Sequence, residues 1–354
     1  MNKEEGNFYT FGEHVGKTRV RSLSGEEGAS IFYILATSLA AKSEIVVVEI
    51  AEADFNPAVL AIFRLDLILT DAVILRTKTG HVLFGIGYEN EEKLGKESVY
   101  FSQEIDWATG GQKTEVALRP TLKSKKISFT GLAAANDCVY LTSAFEVYRF
   151  SLAELKLEIC FESPKKKWNA TLGPLRFDPK NKRIFLGQKT SLLVFDEAFQ
   201  PVASIDKAHD NALSCVDINV NKTGQLLTCA NEPFLKFWDL RNPVKPNLVH
   251  NDHNTLLCQA SFNSFYDQLV LSSAFNGSIS IFSANSISSS VFLRTSDERQ
   301  IPDNHVLKTF ESALDDHVNS VAWSAHDAWI FAAGAANKVY FDLLPQKIKF
   351  ETMF

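Results

Sequence analysis

The sequence predicts an all-β fold, a single closed domain built as a seven-bladed β-propeller. Three observations carry this expectation. A short motif, an apolar pair followed by small residues, recurs at CVYLTSA (138–144), RIFLGQ (183–188), QLLTCA (225–230), QLVLSSA (268–274) and WIFAAGA (329–335). The pair starts at Val139, Ile184, Leu226, Leu269 and Ile330, in steps of 45, 42, 43 and 61 residues. About 40–45 residues is the length of a four-stranded propeller blade. The segments around each motif alternate apolar and polar residues, the period of a strand packed on neighbouring sheets. Phe is abundant at 27 residues against 2 Met, which suits pleated surfaces, and no long amphipathic helical pattern appears.

Each repeat has the same companions. Before the pair lies a strand that ends at a turn: GPLRFDPKN (173–181), SCVDINVNKTG (214–224), LLCQASFNSFYD (256–267) and NSVAWSAHD (319–327). After it lies a second strand: EVYRFS (146–151), SLLVFD (191–196), FLKFWD (234–239), SISIFS (278–283) and KVYFD (338–342). Asn276-Gly277 and Asp178-Pro179 punctuate these strands as turns. The long step contains SSSVFLRTSDERQIPDN (288–304), read as an exposed insertion. Seven units are placed near 31–56, 57–106, 107–156, 160–203, 204–248, 249–305 and 306–345. Either Phe8–Arg21 or the terminal IKFETMF is expected to supply the strand that closes the ring and protects its edges.

Length and composition narrow the function classes. At about 150 residues per domain, 354 residues suggest two domains, and the repeat turns that into one ring. Hydrophobic residues at 45% and charged residues at 22% exclude a disordered chain. A net charge of -6 argues against a basic nucleic-acid binder. Cys138, Cys160, Cys215, Cys229 and Cys258 form no CxxC pair, so reduced thiols in a cytoplasmic protein are expected, without a disulfide framework or zinc cluster. The opening MNKEEGNFYTFGEH has no apolar core of a secretory signal. Charges interrupt the apolar stretches Ile31–Ile50 and Phe55–Leu75, so neither reads as a bilayer span.

His209 followed by Trp238-Asp239 resembles the His and Trp-Asp frame of a WD repeat, with Thr228 at the Ser/Thr position. The turn acid of that frame falls near Asn231-Glu232. Such a frame is a buried hydrogen-bond chain, needed because an unpaired buried polar group costs about 1–3 kcal/mol. His253 and His317 open the next two units, where Phe282 and Phe341 stand for the Trp, as Phe195 does earlier. More specifically, residues 205–246 with KFWDLRN, 261–288 with DQLVLSS and 315–333 with AWSAHDAWIFA resemble the WD-repeat proteins that interact with the EARP and GARP tethering complexes. ILATSLAAKSEIVVVEI (34–50) and GHVLFGIGYENEEKLGKESVYFSQ (80–103) are similar to the first two blades of that family, while 107–160 match poorly. The resemblance implies a non-enzymatic adaptor that binds EARP or GARP tether subunits. It also implies peripheral placement at endosomes and the trans-Golgi network through partners, in endocytic recycling and endosome-to-Golgi retrieval.

Other motifs read as structure. ATGGQKT (108–114) has Gln112 where a phosphate loop needs Gly, and Gly85-Ile-Gly87 lacks a third glycine. His250 and His253, beside Asp252, are too few for a metal site. No G-x-S-x-G or HExxH is present, so no catalytic residue, metal or cofactor is expected. Lys123-Ser-Lys125-Lys126 and Lys165, Lys166 and Lys167 read as solvated turns, with a docking patch for an acidic partner or lipid headgroup as the sharper alternative, anchored in the second case by Trp168. Trp238-Asp239-Leu240-Arg241 packs a blade in one reading. In the other it resembles the box of cullin-ligase substrate receptors, with Arg241 aimed at an adaptor.

Overall fold

The computed structural model describes residues 7–353 apart from 13–14, 24–28, 39–41, 52–54, 56, 78–79, 89–97, 106–113, 119–121, 125–126, 136, 164–170, 252, 290–303 and 311–315. The chain opens with β1 (Asn7–Thr10). The first blade follows as β2 (Val15–Leu23), β3 (Ser30–Ser38), β4 (Ser43–Ile50) and β5 (Pro57–Leu65). The second begins with β6 (Ile68–Arg76), β7 (His81–Tyr88) and β8 (Ser98–Ile105). The chain then leaves it to run β9 (Thr114–Leu118) parallel to β5, and returns with β10 (Leu122–Ser124) on the edge of β8. The third blade is β11 (Phe129–Ala134), β12 (Cys138–Ser143), β13 (Glu146–Ser151) and β14 (Lys156–Glu162). The fourth is β15 (Leu172–Asp178), β16 (Arg183–Gln188), β17 (Ser191–Asp196) and β18 (Pro201–Ile205). The fifth is β19 (Leu213–Ile218), β20 (Gln225–Ala230), β21 (Leu235–Asp239) and β22 (Leu248–His250). The sixth is β23 (Leu257–Phe262), β24 (Leu269–Ala274), β25 (Ile279–Ser283) and β26 (His305–Phe310). The seventh takes β27 (Val318–Trp323), β28 (Ile330–Ala335) and β29 (Lys338–Leu343) from the end of the chain and β1 from its beginning.

The closing strand is therefore N-terminal. Phe8 pairs with Tyr340 and Thr10 with Lys338 along the outer edge of β29. The segment Phe8–Arg21 divides between this closing strand and the inner strand of the first blade. The terminal IKFETMF is not a strand: it lies in α1 (Gln346–Met353), which packs Ile348 against the sixth and seventh blades.

The blade limits differ from the sequence reading in the first half. Pro57–Leu65 belongs to the first blade, not the second, and Lys156–Glu162 completes the third. The shift follows from β2, which opens the first blade as its inner strand and so moves each later strand limit. In the ring Arg19 and Arg21 of β2 meet Asp71 of the next inner strand, Arg21 Nη2 donating to both carboxylate oxygens at 2.8 Å.

Seven apolar clusters hold the ring, one at each junction between neighbouring blades. The cluster between the seventh and first blades contains Phe32 and Phe341, in edge contact at 5.6 Å. Phe supplies the bulk at these junctions, with Phe32, Phe63, Phe84, Phe150, Phe185, Phe237, Phe282, Phe331 and Phe341 fully buried. Each such ring contributes about 1.5–3 kcal/mol of burial.

Candidate functional site

The loops joining successive blades and those joining the second and third strands of a blade share one end of the ring. Backbone bonds knit them together: Phe275 N–H donates to Leu256 O at 3.0 Å, and Leu257 N–H to Glu232 O at 3.2 Å. The hydrogen-bond frame of the fifth blade lies under this end. The Trp238 indole N–H donates to Thr228 Oγ1 at 2.8 Å, and Thr228 Oγ1 lies 2.8 Å from His209 Nε2. His209 Nδ1 bonds Glu232, which also accepts the N–H of Asp210 at 3.3 Å. All four side chains are buried, and burial pushes the His209 imidazole below its ordinary value despite Glu232. A neutral ring suits the chain, with Nδ1–H donated to Glu232 and Nε2 accepting from Thr228. Glu232 thus stands where the frame takes a turn acid.

The sixth blade keeps part of this arrangement. His253 Nε2 lies 2.8 Å from Ser272 Oγ, and Nδ1 lies 3.3 Å from Ser278 Oγ. Phe282 takes the place of the indole and stacks on His250 at 3.6 Å. The seventh blade departs from it. His317 is outside the buried frame: its Nδ1 meets Asp316 at 2.5 Å and its ring stacks on Phe275 at 5.4 Å. The side chain facing the sixth blade at the indole position is Tyr340, whereas Phe341 faces the first blade. Tyr340 pairs with Ala333, so the hydroxyl position is Ala335, which offers His317 no bond. Tyr340 spends its own hydroxyl on Asp342 at 2.6 Å.

Asp239, the last residue of β21, and Arg241 just after it lie at the opposite end. Arg241 Nε and Nη2 clamp the Asp239 carboxylate at 2.5–3.0 Å, and the hydrogen bond from Arg241 holds that carboxyl below its usual range. The guanidinium is exposed on a turn that its own neighbour organises. Lys165, Lys166, Lys167 and Trp168 lie outside the described residues, as do Asp252 and most of the insertion 288–304. The insertion's foot is anchored, Ser289 N–H donating to Asp267 Oδ2 at 2.9 Å.

Two features escaped sequence reading. Buried Asp217 ties three blades beside the channel. Its carboxylate accepts from Arg176 Nη2 at 2.9 Å in the fourth blade, and from Ser261 Oγ at 3.0 Å and Phe262 N–H at 2.9 Å in the sixth. Asp217 sits in an ordinary alternating strand, and nothing local marks it. The second feature is a ring of register breaks. Every inner strand skips register at its first turn, at Gly16, Thr70, Thr130, Gly173-Pro174, Ser214, Cys258 and Asn319. Bulges re-aim side chains, so these seven positions crown one mouth of the channel. Among the described residues, no group of three or more His, Cys, Asp or Glu is placed to hold a metal ion. All five cysteines are free thiols.

Seven blades, six of four strands and the first extended by β9, define a seven-bladed β-propeller, and among the described residues the fifth blade carries a complete His–Thr–Trp frame of the kind found in WD repeats. The pattern described as WD domain, G-beta repeat matches residues 305–341, which run from β26 through β29. The repeat is thus offset by one strand from the blade. The chain is similar to the human (Homo sapiens) EARP and GARP complex-interacting protein 1, 27% identical over 188 residues, 48% of each chain. It is also similar to the EARP-interacting protein homolog of Gekko japonicus, 26% identical over 165 residues, 42% of each. The EARP-interacting protein 1 of Caenorhabditis elegans is 28% identical over 137 residues, 36% of this chain and 38% of that one. The matched region spans about half the length of the first of these relatives.

Proposed function

We propose that this chain is a non-enzymatic adaptor that binds tethering complexes of the EARP and GARP type. On this reading it sits peripherally at endosomes and the trans-Golgi network through its partners. There it supports tether recruitment in endocytic recycling and endosome-to-Golgi retrieval. The observation that carries the proposal is the similarity to relatives named for interaction with those complexes, together with a rigid ring whose loops form a broad end face. A closed propeller presents such a face without a moving part, and function then resides in its surface residues. Affinity purification of the full chain followed by mass spectrometry tests it. Recovery of EARP or GARP subunits is the expected result. Recovery of a cullin-ligase adaptor in their place, lost in Arg241→Ala, transfers the function to the Trp238–Arg241 box.

A further inference from the structure

Several charges on the inner strands are held in ion pairs: Arg19 and Arg21 with Asp71, and Arg176 with Asp217. At the crowned mouth the re-aimed residues are small, polar or thiol-bearing, and Lys17, beside the bulge at Gly16, supplies a full positive charge. Lys17 makes no hydrogen bond or ion pair with another described residue. A Cβ at Gly16 would meet nothing within 4 Å, so the space beside it is open. Lys17 is exposed beside the bulge at Gly16, and Cys258 occupies the equivalent bulge of the sixth blade. Partial burial, with Arg19 next, holds the Lys17 ammonium below its ordinary value, and Cys258 and Asp71 oppose the shift without reversing it.

Two residues before Cys258 an apolar arc begins on the rim. Leu256 is 42% exposed, Phe275 50% and Phe234 36%. Phe275 is fixed by its stack on His317 and its backbone bond to Leu256. The rim also carries the carboxylates of Asp210 and Asp316. A segment with a single carboxylate meets less repulsion from those two groups than a polyanion laid across this face.

We propose that the crowned mouth is a docking site for a protein segment that presents one carboxylate flanked by apolar side chains. The carboxylate pairs with Lys17, and the apolar neighbours lie on Leu256, Phe275 and Phe234. Charge complementarity sets the register of the segment and the apolar arc supplies area. The identity of the partner rests on the adaptor reading above; the chemistry of the mouth does not.

The first test uses a defined probe. The lysines are reductively methylated with carbon-13, which keeps their charge, and the Lys17 resonance is assigned with Lys17→Arg. Titration with the capped tripeptide acetyl-Phe-Glu-Leu-amide shifts that resonance, and the matched Gln peptide does not. No shift, or equal shifts with both peptides, overturns the site. The second test measures binding of purified EARP complex to the full chain. Lys17→Glu, Lys17→Gln and Phe275→Ser each weaken it by roughly tenfold or more, while Lys349→Glu on the opposite end leaves it unchanged. Full binding by all three mouth variants overturns the site as the tether contact. Failure of the unaltered chain to bind removes the adaptor reading, and the peptide titration then decides the mouth alone.

Discussion

The hydroxyl of Thr228 stands 2.8 Å from the indole nitrogen of Trp238, joining the second and third strands of the fifth blade from within. The same oxygen faces His209, so one buried atom serves two polar groups that water cannot reach. Thr228→Val keeps the shape and removes both bonds. Unfolding in urea should show a loss of roughly 2–4 kcal/mol, because two buried groups lose their partner. His317→Ala, outside the frame, should change stability by less than about 0.5 kcal/mol.

Acid should weaken the frame in a defined window. Burial lowers the His209 value in the folded chain, so the unfolded chain takes up that proton first as pH falls. The stabilisation from a neutral His209 is complete above about pH 6.5 and is lost as pH drops toward the folded-state value. Glu232 opposes this shift and Lys236 reinforces it. Melting temperatures followed from pH 8 to pH 5 should fall less steeply for His209→Gln than for the unaltered chain.

Asp217 joins three blades through one carboxylate. Asp217→Ala leaves the Phe262 N–H without its acceptor and should cost roughly 1–3 kcal/mol. Asp217→Asn retains an acceptor oxygen and should cost less. Added salt should alter the difference little, since neutral donors make two of the three contacts.

Ring closure depends on the N-terminus. Deleting residues 1–10 exposes the outer edge of β29 and should lower the melting temperature and broaden the transition. Deleting 346–354 removes the packing of Ile348, the bond from Gln268 to the Thr352 carbonyl and the approach of Lys349 Nζ to the Trp329 ring, and its effect in the same scan should be smaller.

The alternation and the period of about 42 residues were local signals, and they carried the strand content and the number of units. His209, Thr228 and Trp238 were also legible, because each occupies a fixed offset within one repeat. His317 was misread because its role depends on Ala335 and Tyr340, residues in strands whose register is set by cross-strand pairing rather than spacing. A one-residue slip sends Phe341 to the other face, which is why the indole position passed to Tyr340.

What the sequence determined by itself is a ring of aromatic-rich sheets, since periodic burial is written residue by residue. What tertiary structure decided is how that ring closes and where its charges meet. Asn7–Thr10 reaches β29 across more than three hundred residues, Asp71 neutralises Arg21, Asp217 binds two neighbouring blades, and Lys17 is left at the mouth. Those relations join residues far apart in the chain, and only the geometry of closure brings them within the few ångströms over which hydrogen bonds and ion pairs act.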